Sequence, residues 1–109
     1  MDKLDRLGWA VEATVVVNGV WVGLRVNHAD LWARLLERLP GGAQLVSSDT
    51  FFVDLMVSAV FGGEVDGGRR PFHFGYLNFK RVARTTDPVA LLDQVAAVLG
   101  GRLEQLSKN

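Results

Sequence analysis

The stretch that decides the fold is residues 9–26, which read WAVEATVVVNGVWVGLRV. Apolar side chains recur at every second position on either side of Asn18-Gly19, a period typical of strands that bury one face. Asn-Gly is the dipeptide best suited to the positive φ angles of a type I′ turn. The sequence therefore predicts an antiparallel hairpin in which Val17 lies opposite Val20.

The same register places a second set of pairs on the other face of the hairpin. Glu12 falls opposite Arg25, and Val16 falls opposite Trp21. If the main core lies on the first face, the second pair leaves apolar surface uncovered. We predict that this second face docks another copy or another domain. A loop or an N-terminal arm packed over it is the alternative.

A helix is expected directly after the hairpin, with Asn27 as its N-cap. Its apolar stripe is formed by Leu31, Leu35 and Leu39. Pro-Gly-Gly at 40–42 should end it. Residues 44–47 are then either a short strand or an extended connection.

Residues 51–61 alternate between two apolar sets, and their β-branched and aromatic content favours a strand. Ser48 or Asp49 could instead cap a helix over the same residues, so strand and helix both stay open. A glycine-rich loop follows at 62–68. Phe72, Phe74 and Tyr76 then predict a strand that turns near Asn78 and returns through Arg84.

The second helix should begin at about residue 88, with Asp87 as its cap. Its apolar stripe comprises Leu91, Leu92, Val95, Val98 and Leu99. Gly100-Gly101 should end or fray the helix, although the same stripe continues in Leu103 and Leu106. The order of elements predicts one α+β domain over 1–109. Its antiparallel sheet would have four to five strands, starting with the hairpin, and both helices would pack on one face.

Composition bounds the function. The chain has 109 residues, 49% of them apolar, which suits one globular domain. Lys and Arg number 12 and Asp and Glu number 12, so no overall field attracts nucleic acid or an anionic membrane. The absence of cysteine excludes disulfide and thiolate chemistry. The longest uncharged run, 13–24, is too short to span a bilayer, and acidic residues interrupt the N-terminus, so we expect a cytoplasmic protein.

Catalytic motifs are missing from the sequence. The two histidines, His28 and His73, have no partner at metal-ligand spacing. Neither Gly-x-Ser-x-Gly nor a P-loop occurs, and the glycine-rich loop carries acidic residues where a phosphate would approach. We therefore expect no metal, no cofactor and no enzymatic activity of this chain.

Basic residues cluster between 69 and 84, interleaved with aromatic residues. Such a segment can bind single-stranded nucleic acid or a phosphorylated ligand, but the zero net charge argues against nucleic acid. The simpler interpretation is that alternation turns aromatic side chains inward and arginines outward. Together with the hairpin face, the segment gives the predicted partner-binding residues, Val16, Trp21, Arg69, Arg70, Lys80 and Arg81. An alternative function is a small anion or phospho-ligand pocket between sheet and helices, held by Arg25, His73 and Arg84.

Several short motifs resemble a family when taken in order. They are VGLRVN at 22–27, LLERLP at 35–40, VSAVFGG at 57–63, the segment 69–76 and VARTTD at 82–87. In that order the chain resembles the N-terminal region of HPr-kinase-like P-loop proteins of actinobacteria and related bacteria. That region precedes a kinase-like domain that carries the P-loop.

The resemblance implies an accessory domain and transfers no catalytic residue, since the kinase motifs do not occur in this sequence. Gly100-Gly101 also departs from the continuous final helix of that region. From the residues and the resemblance together, we expect a non-catalytic interaction or regulatory module. It would dock on itself as a homodimer or on a protein partner, such as a kinase-like P-loop domain.

Overall fold

The computed structural model describes residues 9–39, 41–46, 53–62 and 71–107. In this part of the chain it has six strands and two helices, so the predicted α+β class is confirmed. The elements, in chain order, are β1 (Val11–Val17), β2 (Val20–Val26), α1 (Ala29–Glu37), β3 (Gln44–Val46), β4 (Leu55–Val60), β5 (His73–Leu77), β6 (Lys80–Thr85) and α2 (Pro88–Ser107).

The described strands form one sheet in the order β3-β1-β2-β4-β5-β6. Every neighbouring pair is antiparallel except β2 and β4, which are parallel. The sheet has six strands, one more than the four to five predicted. The predicted sheet was also antiparallel throughout, and the pairing of β2 with β4 differs from that prediction. The physical reason is that α1 and β3 lie between β2 and β4 in the chain, and such a crossover returns the chain in the same direction.

The first hairpin has the predicted register. Val17 pairs with Val20, and Asn18 and Gly19 between them have φ angles of 51° and 80°. Positive φ at both turn positions is the geometry of a type I′ turn. The register places Val15, Val22 and their neighbours in the core and turns the second set of side chains away from it.

One hydrophobic core lies between the helices and the sheet. It joins valines and leucines of β1, β2 and β4 to Leu31 and Leu35 of α1 and to the apolar stripe of α2. Gly75 lets α2 approach the sheet, because a Cβ atom there would lie 2.3 Å from Val95 Cγ2. We call the other side of the sheet, from which both helices are absent, the open face.

The N-cap of α1 is His28, so the prediction of Asn27 is wrong. The Asp30 amide donates to His28 Nδ1 at 3.3 Å. The Asn27 side chain is used elsewhere: its Oδ1 accepts from the Phe61 amide at 2.6 Å and its Nδ2 donates to the Phe61 carbonyl at 2.9 Å. These two bonds tie the end of β2 to the end of β4.

The second helix continues through Gly100 and Gly101 for 20 residues, so the predicted end at about residue 100 is wrong and the alternative, extension of the same face through Leu103, is correct. Leu103 is only 4% exposed and belongs to the core. Burial of this leucine outweighs the helix propensity lost at the two glycines. The predicted cap is confirmed, since Asp87 Oδ1 accepts from the Val89 amide at 3.0 Å.

The segment 51–61 forms a strand where it is described, from Leu55 to Val60, and the helix alternative is wrong there. Residues 51 and 52 lie outside the described part of the chain. The short segment predicted at 44–47 is β3, an edge strand that pairs with β1.

Candidate arginine–aromatic binding surface

A row of polar side chains crosses the open face from β1 to β6. Its members, paired strand to strand, are Glu12, Arg25, Ser58, Tyr76 and Arg81. The neighbouring row contains Val60, Phe74 and Arg84. Along β4 and β5 the two rows are two residues apart, and side chains two residues apart on a strand lie on the same face. The two rows therefore form one surface.

Arg25 is the centre of this surface and is only 6% exposed. Its Nε donates to Ser58 Oγ at 2.8 Å. Its guanidinium Cζ lies 4.4 Å from the ring centroid of Trp9 and 5.3 Å from that of Phe79. The two rings cover part of the apolar surface of the Arg25 guanidinium.

Phe79 reaches Arg25 from a two-residue turn between β5 and β6. The turn residues Asn78 and Phe79 have φ angles of 50° and 69°, so this is a second turn with two positive φ values. A phenylalanine in that region is strained, by about 1–2 kcal/mol. The Phe79 side chain remains 48% exposed while it covers Arg25.

A β-bulge brings two further arginines to the open face. Gly75 pairs with Ala83 but Tyr76 pairs with Arg81, so Val82 is an extra residue on β6. Without the extra residue, positions 81 and 84 would lie on opposite faces, because side chains alternate along a strand. The bulge therefore puts Arg81 and Arg84 on one side of the sheet.

Each of these arginines lies over a phenylalanine. Arg84 Cζ is 3.9 Å from the ring centroid of Phe72, and Arg81 Cζ is 5.7 Å from that of Phe74. Both arginines are exposed, and so is Phe72. We call this surface the arginine–aromatic patch; it comprises Phe72, Phe74, Phe79, Arg81 and Arg84.

Arg81 and Arg84 give the patch its positive charge, and the structure describes no acidic side chain paired with either of them. The strands that form the patch contain no acidic residue. Glu12 shares the face but lies four strands away, about 19 Å at the usual strand spacing. The patch can therefore offer two cations to an acidic ligand.

The structure separates the residues predicted to bind a partner. Val16 and Trp21 pair on the open face and are half-buried, and Arg81 lies on the same face nearer the other edge. Lys80 pairs with Leu77 and lies on the helix side, beside α2. Arg69 and Arg70 lie outside the described residues.

The three residues of the alternative ligand pocket do not come together. Arg25 and Arg84 lie on the open face, whereas His73 lies on the helix side, in line with Gly75. A single pocket between sheet and helices cannot contain all three side chains. Because side chains alternate along a strand, Arg25 and the core residue Leu24 lie on opposite faces of the sheet.

His73 has a structural environment of its own. It is 2% exposed, its Nδ1 accepts from the Gly62 amide at 2.9 Å, and its ring stacks on Phe61 at 4.5 Å. Burial lowers the pKa of the His73 imidazole, and the negative charge of Asp87 offsets part of that effect. A neutral imidazole with an unprotonated Nδ1 fits this site.

Sequence reasoning missed Trp9, Ser58 and Phe79 as neighbours of Arg25. The signal for Phe79 was the Asn78-Phe79 pair, which occupies the positions that Asn18-Gly19 occupies in the first turn. The position of Ser58 depends on the parallel pairing of β2 with β4. The amino-acid pattern of either strand alone does not specify that pairing.

No group of three potential metal ligands occurs among the described residues. Within the same residues, no helix is long and apolar enough to cross a membrane. Comparisons with protein-family models, with curated proteins and with solved structures found no match to this chain. The resemblance to the N-terminal region of HPr-kinase-like proteins therefore stays a prediction.

Proposed function

We propose that this chain is a non-catalytic interaction module whose arginine–aromatic patch docks an acidic segment of a protein partner. The observation that carries the proposal is the placement of Arg81 and Arg84. The bulge turns both to the open face, each lies over a phenylalanine ring, and neither has a carboxylate partner in the described part of the chain.

The contact with a phenylalanine ring restricts the side chains of Arg81 and Arg84 before a ligand binds. A guanidinium that lies over a ring loses less side-chain freedom on binding, while the N–H groups along its edge still point outward. Those N–H groups match the two oxygens of a carboxylate. The adjoining Phe72 and Phe79, which are 43% and 48% exposed, add apolar contact area.

A nucleic-acid partner is less well matched to the patch. Bases stack on open aromatic faces, but one face of Phe72 and one face of Phe74 are already covered by Arg84 and Arg81. The zero net charge of the chain also provides no long-range attraction to a polyanion. A carboxylate of a protein partner needs neither an open aromatic face nor a net positive charge of the whole chain.

Docking of the patch on a second copy is disfavoured by charge. A symmetric dimer through this surface would bring Arg81 and Arg84 close to the same residues of the other copy. Like charges in an interface reduce affinity. A partner of a different sequence fits better, and the kinase-like P-loop domain implied by the resemblance is a candidate if it presents an acidic segment.

The test is the binding of a fluorescein-labelled peptide of ten glutamates to the whole chain, followed by fluorescence anisotropy. The double variant Arg81→Gln/Arg84→Gln should raise the Kd about tenfold, which corresponds to about 1.4 kcal/mol. The control Arg34→Gln removes an exposed charge from α1, away from the open face, and should leave the Kd unchanged.

Two labelled probes complete the design. A ten-glutamine peptide should bind weakly or not at all, because it has no carboxylates for the arginines. A ten-nucleotide oligouridylate tests whether the patch binds single-stranded RNA in place of an acidic peptide. Tighter binding of the oligouridylate than of the glutamate peptide would overturn the proposal, and so would a Kd of Arg81→Gln/Arg84→Gln equal to that of Arg34→Gln.

A further inference from the structure

A second surface lies on the helix side of the sheet, between the β5–β6 turn and the C-terminal half of α2. It is a groove of about 500 Å³. Its apolar floor is formed by Leu77, Val82 and Val98, and Lys80 and Arg102 line it as well. We call it the α2 groove. It is separate from the arginine–aromatic patch, which lies across the sheet.

Gly101 opens this groove. Residues 88–107 form one helix, and a Cβ atom at Gly100 or Gly101 would meet no atom within 4 Å. Glycine in the interior of a helix costs about 1 kcal/mol relative to alanine. Packing within the described chain therefore does not require a glycine at 101, whereas a side chain there would occupy the groove.

The charges that line the α2 groove have one sign. Lys80 and Arg102 are both exposed, and no acidic residue lines the groove in the described part of the chain. A volume of a few hundred Å³, an apolar floor and a small number of polar groups are typical of sites for small molecules. The two cations favour a ligand with an anionic group, and the apolar side chains favour a ligand that also has an apolar part.

From these observations we propose that the α2 groove binds a small amphipathic organic anion, with its apolar part against Leu77, Val82 and Val98. Its carboxylate, sulfonate or phosphate group is held by Lys80 and Arg102. Gly101 is the residue that leaves room for the ligand. This proposal does not depend on the docking function of the open face.

The probe is 1-anilinonaphthalene-8-sulfonate, an aromatic sulfonate whose fluorescence rises in apolar surroundings. We expect it to saturate at one molecule per folded chain. N-phenyl-1-naphthylamine, which has nearly the same rings without the sulfonate, should bind at least about tenfold more weakly if the two cations contribute about 1.4 kcal/mol together. Equal affinity for the two probes would contradict the charge assignment.

The variants locate the site. Gly101→Leu should weaken the binding of the probe because the leucine takes up part of the groove, and it should preserve the fold because leucine is the better helix former. Gly100→Ala is the matched control, since its Cβ atom meets open space outside the groove lining, and it should retain the wild-type Kd. Lys80→Gln and Arg102→Gln should each raise the Kd several-fold.

Far-UV circular dichroism of each variant separates loss of binding from loss of folding. Gly101→Leu with wild-type helicity and wild-type probe affinity would overturn the proposal. Arg81→Gln/Arg84→Gln should bind the probe as the wild type does, because both arginines lie on the opposite face of the sheet. A loss of probe binding in that variant would place the site on the open face and would also overturn the proposal.

Discussion

The ring of Phe79 lies 5.3 Å from the guanidinium carbon of Arg25, and it does so from a backbone with a φ angle of 69°. The matching position in the other two-residue turn is Gly19, with a φ angle of 80°. Glycine adopts this conformation without strain, and phenylalanine does not. The contact with Arg25 is an interaction that glycine could not make.

Replacement of Phe79 separates the strain from the contact. Phe79→Gly and Phe79→Ala both remove the ring, but only alanine keeps the strained backbone. We expect Phe79→Gly to be more stable than Phe79→Ala by about 1 kcal/mol. Urea denaturation of the two variants measures this difference. A more stable alanine variant would mean that the turn carries no strain.

Glycines at two positions should respond to alanine in opposite directions. Gly75→Ala places a Cβ atom 2.3 Å from Val95 Cγ2 and should destabilise the fold by about 2 kcal/mol. Gly100→Ala meets no neighbour in the helix and should stabilise it by about 1 kcal/mol. Thermal denaturation of both variants checks the prediction, and a shift of Tm in the same direction for both would refute it.

Stability should fall as the pH falls below about 6.5, the ordinary pKa of an unfolded histidine. Because burial lowers the pKa of His73 in the fold, the unfolded chain binds the proton more readily between the two pKa values. This loss is complete once the pH is below the folded pKa. Urea denaturation of wild type and His73→Asn from pH 8 to pH 5 should give a constant difference in stability above about pH 6.5 and a changing one below it, because only the wild type loses this contribution as the pH falls.

That comparison isolates one group. Asparagine keeps an acceptor near the position of His73 Nδ1, which accepts from the Gly62 amide, but it does not titrate in this range. Carboxylates contribute to the pH dependence of both proteins and cancel in the difference. A difference in stability that stays constant from pH 8 to pH 5 would contradict the assignment.

The whole chain should be monomeric at micromolar concentrations when measured by light scattering after size-exclusion chromatography. The like charges of Arg81 and Arg84 oppose self-docking of the patch. A dimer that persists in Arg81→Glu/Arg84→Glu and is lost on substitution of Trp21 would favour the self-association alternative, through the half of the open face that contains Val16 and Trp21.

Local sequence patterns predicted the parts of the fold that local chemistry decides. Asn18-Gly19 specified a turn, and with it the pairing of Glu12 with Arg25. Asp87 specified the start of α2. In each case residues close in the chain determine the geometry, so the local sequence is sufficient to predict it.

The candidate sites depend on relationships that no local pattern contains. Parallel pairing of β2 with β4 brings Ser58 to Arg25, and a single extra residue, Val82, turns Arg81 and Arg84 to the same side. Burial of Leu103 carries α2 past its glycine pair and so creates the α2 groove. Tertiary packing outweighed local preference in that helix.

Proton–nitrogen correlation NMR of the labelled whole chain, titrated with the ten-glutamate peptide, tests the central claim most directly. The account predicts the largest shifts at the Nε–H groups of Arg81 and Arg84 and at the backbone amides of 79–84. Those shifts should disappear in Arg81→Gln/Arg84→Gln. Largest shifts in α1 or around Gly101, or an unchanged titration of the double variant, would contradict it.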